Sequence, residues 1–190
     1  MIEPIAFEEL ENKIEQILDA ESTDFFELAA LAELDPLVDF AGADLSSINI
    51  SKADFSRADL SGANFNEANF SNANLHRSIL SNADFKNAIL LKTNLRNTNL
   101  QGANLQGANL QGANLQGANL VKVNFSNAIL LKSNLTEANL RQANFANAQV
   151  RQAQFGKGIG LTTSQKSNLK SRGAIFDDSP RRGTRTSITY

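Results

Sequence analysis

Residues that could perform acid–base, metal or nucleophilic chemistry are sparse in this 190-residue chain. It contains no cysteine and a single histidine, His76. A metal site or a general base requires several differing groups that converge on one point. His76 has no such partners in its neighbourhood of the sequence, so we expect an outward-pointing side chain without a catalytic or metal-binding role. No catalytic residue, metal ion or cofactor is predicted.

A glycine-rich segment with a lysine, GKGIG at residues 156–160, has some features of a phosphate-binding loop. Such loops need the spacing GxxxxGK followed by Ser or Thr, so that backbone N–H groups cradle a phosphate. That spacing and the Ser or Thr are both absent here. We interpret the segment as a break in the preceding pattern and do not predict nucleotide binding.

The most numerous polar groups recur at a fixed spacing of five residues. From Phe40 to Phe155 every fifth residue is Leu, Phe, Ile or Val, at 24 positions without an insertion. Asn or Asp precedes 19 of these 24 residues, and Ala lies two residues before 17 of them. The unit is therefore A-(N/D)-(L/F)-x-x. Ladders of identical amides and carboxylates are satisfied by their neighbours and by water, whereas catalysis needs differing groups in a cleft. An enzyme is not predicted.

A period of five fits neither regular helix nor straight strand. Five residues of α-helix advance the side chain by about 140° net, so the large apolar residues would spiral around the helix. In a straight strand an odd period would send successive apolar residues to opposite faces. The pattern fits a short extended piece followed by a corner, with Ala and Leu/Phe inward and Asn/Asp outward. Repeated units would wind a coil around an apolar axis.

The number of units in one coil follows from longer repeats. Phe65, Phe85, Phe125 and Phe145 are separated by 20, 40 and 20 residues, with Leu105 in the gap. The phrase AILLK occurs at residues 88–92 and again at 128–132. A 20-residue coil has four units and hence four sides. The 24 units then give about six coils, and a rod about 29 Å long at ~4.8 Å per coil.

The units FSRADL, FNEANF and QGANL resemble the pentapeptide-repeat family, whose consensus is A-(D/N)-L-x-x. The resemblance covers residues 38–155. It implies an all-β solenoid, namely a right-handed quadrilateral β-helix. Proteins of this family are especially abundant in cyanobacteria, and most have no assigned activity. The chain departs from the pattern at Ile79, Ile89 and Ile129, which replace Asn or Asp, and at Gln149 and Gln154.

Charge and composition divide the chain into four segments. Residues 1–37 carry eleven acidic groups and one basic group, and apolar residues at helical spacing predict short helices over 5–19 and 24–34 that cap the coil or dock a partner. Residues 38–155, with a net charge of +3, form the coil. Residues 156–176 are predicted to form a second cap, with a helix over 163–173 that has Thr163 or Ser164 as N-cap, and a last strand at 174–176. Residues 177–190 form a basic tail that is expected to be disordered.

The predicted function is that of a rigid scaffold that contacts an unidentified protein partner. Exposed apolar residues that interrupt a polar ladder can mark a contact site. With four units per coil, Ile89 and Leu91 share a wall with Ile129 and Leu131, two coils away, and Asn109 lies between the two isoleucines. Ile79 interrupts the polar position in the same way. The candidate contact residues are therefore Ile79, Ile89, Leu91, Ile129 and Leu131.

Several alternatives remain open. The resemblance implies a possible DNA mimic that acts on gyrase, but such mimics present a strongly negative rod, and this rod is net positive. The basic stretch RRGTR at 181–185 could contact nucleic-acid phosphates, although the tail is short and lacks aromatic residues. Self-association as a homodimer, or end to end between acidic and basic ends, is also considered. No secretory leader pattern and no run of eighteen apolar residues occur, so a cytoplasmic location without membrane contact is expected.

Overall fold

The computed structural model describes residue 12, residue 35 and residues 37–177. The helices predicted over 5–19 and 24–34 lie outside the described residues, apart from residue 12. The tail predicted over 177–190 also lies outside them, apart from Asp177.

Parallel pairing between residues that are 20 apart organises the whole repeat region. Asp44 pairs with Asn64, Asn64 pairs with Asp84, and the same register continues to Asn134 and Gln154. One turn of the chain therefore takes 20 residues, or four units, and each unit contributes one side. The chain is a repeat β-helix.

The four sides are named here as walls by their outward residues. Wall 1 contains 44, 64, 84, 104, 124 and 144; wall 2 contains 49, 69, 89, 109, 129 and 149; wall 3 contains 54, 74, 94, 114, 134 and 154; wall 4 contains 59, 79, 99, 119 and 139. The chain passes through them in this order in each turn. Walls 1 and 3 are therefore opposite each other, as are walls 2 and 4.

Each unit alternates inward, outward and inward before it turns. Ala63 and Phe65 are fully buried, whereas Asn64 between them is half-buried on the surface. This alternation places Ala and Leu/Phe together along the axis, where they form one continuous core. Four inward positions carry hydroxyls, and each donates a hydrogen bond of 2.8 Å to a backbone carbonyl; these are Ser78, Thr93, Thr98 and Ser133. Burying these polar groups therefore leaves no hydroxyl unpaired.

The second corner residue of each unit has a positive φ from Gly42 to Gln152. Seventeen residues other than glycine adopt it between Ser47 and Gln152, with φ between 54° and 67°. Only small stretches of this region are open to residues with a Cβ, and Asn tolerates it better than most. Asn and Gly are accordingly common at these corners. Among the repeats of this chain, the last two positions of the unit vary most in residue size.

The outward Asn and Asp side chains hold the turns and link the coils. Asn64 Oδ1 accepts a hydrogen bond from Asn66 N at 3.1 Å, and Asn64 Nδ2 donates to Asp44 Oδ1 at 2.9 Å. The first bond satisfies a turn N–H, as Asx turns do. The second repeats along the walls, for example from Asn94 to Asn74 at 2.8 Å. One residue type therefore stabilises both the corner and the stack.

Three named elements begin in the last unit and follow it. Strand β1 (Gln154–Gly156) pairs in parallel with β2 (Ile175–Phe176), and helix α1 (Thr163–Ser171) lies between them in sequence. The predicted N-cap, Thr163 or Ser164, is wrong, because Thr162 caps the helix. Thr162 Oγ1 accepts from Gln165 N at 3.2 Å, and Gln165 Oε1 accepts from Thr162 N at 2.9 Å. The Thr-x-x-Gln spacing of a capping box carried that information in the sequence.

Helix α1 packs against the last turn of the coil. Leu169 is buried against the core, and Phe176 stacks on Phe155 with ring centroids 5.1 Å apart. Arg172 donates to the carbonyls of Phe145 and Ala148 and to Asn168 Oδ1. In earlier units the carbonyl at the same position of the unit accepts a hydrogen bond from a backbone N–H of the next turn. Ser133 O, for example, accepts from Gln154 N. Arg172 therefore supplies a donor where the stack ends.

Candidate protein-contact surface

The outward positions of the walls are polar except at three isoleucines. Ile79 is 41% exposed and Ile89 is 39% exposed, whereas Ile129 is half-buried. An isoleucine side chain can neither donate nor accept a hydrogen bond, so the amide ladder is interrupted at each of these positions. These interruptions are the clearest departures from uniformity on the described surface.

Wall 2 brings two of the three isoleucines close together. Ile89 pairs with Asn109, and Asn109 pairs with Ile129, so the isoleucines lie two turns apart, or about 10 Å. Leu91 and Leu131, both half-buried, occupy the corner that follows. We call the group Ile89, Leu91, Ile129 and Leu131 the apolar patch.

Ile79 does not belong to the apolar patch. It pairs with Asp59 and Asn99 on wall 4, which is the side of the coil opposite wall 2. The structure therefore separates this candidate contact residue from the other four. The separation also makes Ile79 an internal control for them, because it has a similar exposure in the same unit position.

The two features that could have suggested chemistry have structural partners. His76 Nδ1 lies 3.0 Å from Arg96 O, the carbonyl of the same corner in the next turn, and donates to it. In GKGIG, a Cβ on Gly160 would lie 2.6 Å from Arg141 N, and Gly160 has a φ of +85°. Close packing and a left-handed backbone therefore account for that glycine.

A groove of about 340 Å³ separates α1 from the last turn of the coil. Its lining includes Phe145, Gln165, Asn168, Leu169 and Arg172. Among the described residues that line the groove, Arg172 alone is charged, and its guanidinium already donates to two carbonyls. The described lining residues do not bring together an acid, a base and a nucleophile.

Within residues 37–177 no cluster of His, Asp or Glu has the arrangement of a metal site. No helix in the same part of the chain has the length and hydropathy of a transmembrane span.

A charged surface that the sequence analysis missed lies along wall 3. The corners on either side of this wall carry seven of the ten basic residues of 38–155 but, together with the wall, only two of its seven acidic residues, Asp54 and Glu137. The seven are exposed and define the basic face: Lys52, Arg57, Arg77, Lys92, Arg96, Lys132 and Arg151. The net charge of the coil does not show this segregation. It becomes visible when residues that are multiples of 20 apart, and therefore lie on the same side of the coil, are grouped together.

Comparison with known proteins places these features in a family context. A family model for pentapeptide repeats, in eight copies, matches residues 39–77, 78–117 and 118–155. The matched ranges cover more than half of the chain. No curated protein matches the sequence.

Several solved structures are similar in sequence. A pentapeptide repeat protein from the cyanobacterium Cyanothece 51142, Rfr23, is 32% identical over 68% of this chain and 98% of its own, with a TM-score of 0.49. The pentapeptide repeat protein alr5209 from Nostoc PCC 7120 is 32% identical over 60% of this chain and 84% of its own, with a TM-score of 0.31. QnrB1, a plasmid-mediated fluoroquinolone resistance protein, is 27% identical over 62% of this chain and 65% of its own, with a TM-score of 0.39.

Proposed function

Because the chain belongs to the pentapeptide-repeat family, we propose that it is a non-enzymatic scaffold that presents the flat walls of a rigid coil to a protein partner. Proteins with these repeats are in general structural and interaction modules. The proposal includes a right-handed coil of about six turns with helical caps at both ends. It also includes a cytoplasmic location.

The observation that carries the proposal is the apolar patch on wall 2. Its two isoleucines replace the Asn that would continue a hydrogen-bonded ladder, and Ile89 exposes 39% of its surface. Apolar side chains at such positions gain little from folding and gain more when a partner removes them from water. The patch is small, so we expect it to form the centre of a contact whose rim is polar.

The basic face argues against a DNA mimic. A mimic of duplex DNA has to present rows of carboxylates, whereas wall 3 and its corners present seven basic and two acidic residues. The observations therefore favour a scaffold over a mimic that acts on a DNA-binding enzyme.

The experiment compares the double variant Ile89→Asn/Ile129→Asn with the control Ile79→Asn. Asn at positions 89 and 129 would complete the amide ladder of wall 2, so we expect the free energy of unfolding to change by less than about 1 kcal/mol. Partners captured from lysate of the source organism, and sedimentation of the purified protein, report on contacts with other proteins and with itself.

We expect the double variant to lose at least one captured protein, or its self-association, and the Ile79→Asn control to keep both. Identical captured proteins and identical sedimentation for wild type, double variant and control would contradict the proposal.

A further inference from the structure

The basic face presents its charges in two columns, one along each corner beside wall 3. One column contains Arg57, Arg77 and Arg96 in three successive turns, and the other contains the four remaining basic residues. Successive turns are about 4.8 Å apart, which is less than the Debye length of about 8 Å at physiological ionic strength. Within the described part of the chain none of the seven forms an ion pair. The charges therefore repel one another, and an anionic ligand would relieve that repulsion.

The columns extend along the axis of the coil and do not converge on one point. Lys52, Lys92 and Lys132 occupy the same corner position in alternate turns, so they span four turns, or about 19 Å. Arg151 continues this column in the next turn. A compact anion such as free phosphate would meet only one or two of these charges. A linear polyanion that lies along the coil can meet most of them.

The surface between the columns is polar and offers no aromatic platform. The outward positions of wall 3 are Asp54, four asparagines and Gln154. Every phenylalanine from Phe40 to Phe155 is buried in the core. Proteins that bind single-stranded nucleic acids stack the bases on aromatic side chains, and stable membrane binding adds buried apolar groups to a basic patch. Wall 3 and its columns offer charges and amides, which suit the sugar–phosphate backbone of a duplex.

We propose that the basic face binds the phosphate backbone of duplex DNA without reading its sequence. Duplex DNA carries one negative charge per about 1.7 Å of its axis, so a length of about 19 Å offers about eleven phosphates to the two columns. The whole chain has a net charge of −2, so the local grouping of the cations, within a Debye length of one another, has to hold the DNA.

This inference goes beyond the proposed scaffold function and does not depend on it. Wall 2 is adjacent to wall 3 around the coil, so a coil that is bound to DNA through the basic face still presents the apolar patch to a protein partner. The two surfaces together would allow the protein to hold a partner at the DNA.

Fluorescence anisotropy with the full-length protein and a labelled duplex of about 25 base pairs measures binding between about 50 and 200 mM salt. Each neutralised phosphate contributes about −0.9 to the slope of log K against log salt concentration. We expect about five of the seven cations to meet phosphates, so the affinity should fall roughly 500-fold over that range. Two duplexes of unrelated sequence should bind with affinities within about threefold of each other.

A pair of charge-removing variants separates the basic face from overall charge. Arg57→Gln/Arg77→Gln removes two charges from the basic face, and the matched control Lys122→Gln/Arg141→Gln removes two from the corner between walls 4 and 1. Glutamine already adopts the corner conformation at Gln142, with a φ of 60°, so both variants are compatible with folding. We expect the first variant to bind about tenfold more weakly at about 50 mM salt, with a slope reduced by about 2. The control should stay within about threefold of wild type.

Several outcomes would overturn the inference. One is the absence of salt-dependent binding to the duplex at low salt, and another is equal weakening in the variant and the control. Binding that survives Arg57→Gln/Arg77→Gln but is lost in Arg181→Gln/Arg182→Gln would assign the DNA to the basic tail. If vesicles that contain phosphatidylserine bind through Arg57 and Arg77 while duplex DNA does not bind, the basic face is a membrane surface.

Discussion

At the scale of the residue, the outward Asn or Asp has two structural roles, because it stabilises both the corner and the stack. One side-chain oxygen accepts a hydrogen bond from a backbone N–H in the corner that follows, and a second one from the side-chain amide 20 residues later. At Asp54 these donors are Ser56 N, at 2.9 Å, and Asn74 Nδ2, at 3.0 Å. The Ser56 backbone bond above all, and then the Ser56 hydroxyl and the Asn74 amide, hold the pKa of Asp54 below its ordinary value of 3.8.

The lowered pKa of Asp54 predicts a contribution to stability that depends on pH. Ionised Asp54 stabilises the fold above its unfolded pKa, and this contribution is lost as pH falls through the lower, folded pKa. In Asp54→Asn the acceptor oxygen stays but the titration is gone. We expect the free energy of unfolding of the variant to fall less than that of wild type between about pH 6 and about pH 2. Urea titrations at several pH values measure this, and parallel pH profiles would count against it.

At the scale of the element, the coil is a set of side-chain columns. Phe65 stacks on Phe85 with centroids 5.0 Å apart, and Phe125 stacks on Phe145 at 5.1 Å. Leu105 lies between these pairs in the same column, because residues 84, 104 and 124 pair in sequence. The spacing of parallel turns is close to that of stacked rings, so an aromatic side chain fits a column without displacing the backbone.

Leu105 is therefore expected to tolerate enlargement better than truncation. Leu105→Ala should lower the free energy of unfolding by about 2–5 kcal/mol through the cavity that it leaves. Leu105→Phe adds volume and should cost about 1 kcal/mol, at the lower end of the range for overpacking, since the residues before and after it in the column, Phe85 and Phe125, are both aromatic. Chemical denaturation measures both values. Equal costs for the two variants would show that the column is already full.

At the scale of the whole molecule, the 20-residue register decides which residues meet. The apolar patch, the basic face and the isolation of Ile79 all follow from residue numbers once the register is known. Stability in such a coil is close to a sum over turns and their interfaces. Removing a whole turn should therefore preserve every wall, whereas removing a single unit should move all later residues to the preceding wall.

The four identical units at 101–120 allow a direct test of this register. Deletion of 101–120 should leave a folded coil in which Ile129 follows Ile89 directly on wall 2, so the protein partner should still be captured. Deletion of 101–105 leaves the five-residue pattern intact but moves Ile129 to wall 1, so capture should be lost. Circular dichroism checks folding, and the lysate experiment checks capture. If both deletions kept or both lost the partner, the register would not control the contact.

Much of the fold could be predicted from the sequence because Ala and Leu mark the inward positions of each unit and Asn marks the outward position between them. The Phe spacing and the AILLK repeat indicated the 20-residue turn, and the register of Ile89 with Ile129 follows from it. The positive φ of residues such as Lys52 could not be read in this way, because the corner positions accept many residue types. Thr162 was missed because three candidate caps are adjacent, and the decisive partner, Gln165, is three residues away.

The surface was harder to predict than the core, for a physical reason. Burial constrains each inward residue separately, so its type is visible at its own position, whereas a charged face is a property of residues far apart in sequence. Arg57, Arg77 and Arg96 gain meaning as a group only through the register. The contact role of the apolar patch stays a prediction.

Because residues pair at a constant interval of 20, the residue number alone gives a position on the surface, both along the axis of the coil and around it. The quotient gives the height along the axis, and the remainder gives the side, so a chosen pair of positions fixes a separation in steps of about 4.8 Å. Chromophores or metal chelators attached at corner residues would therefore form arrays whose spacing is set by the choice of residue numbers.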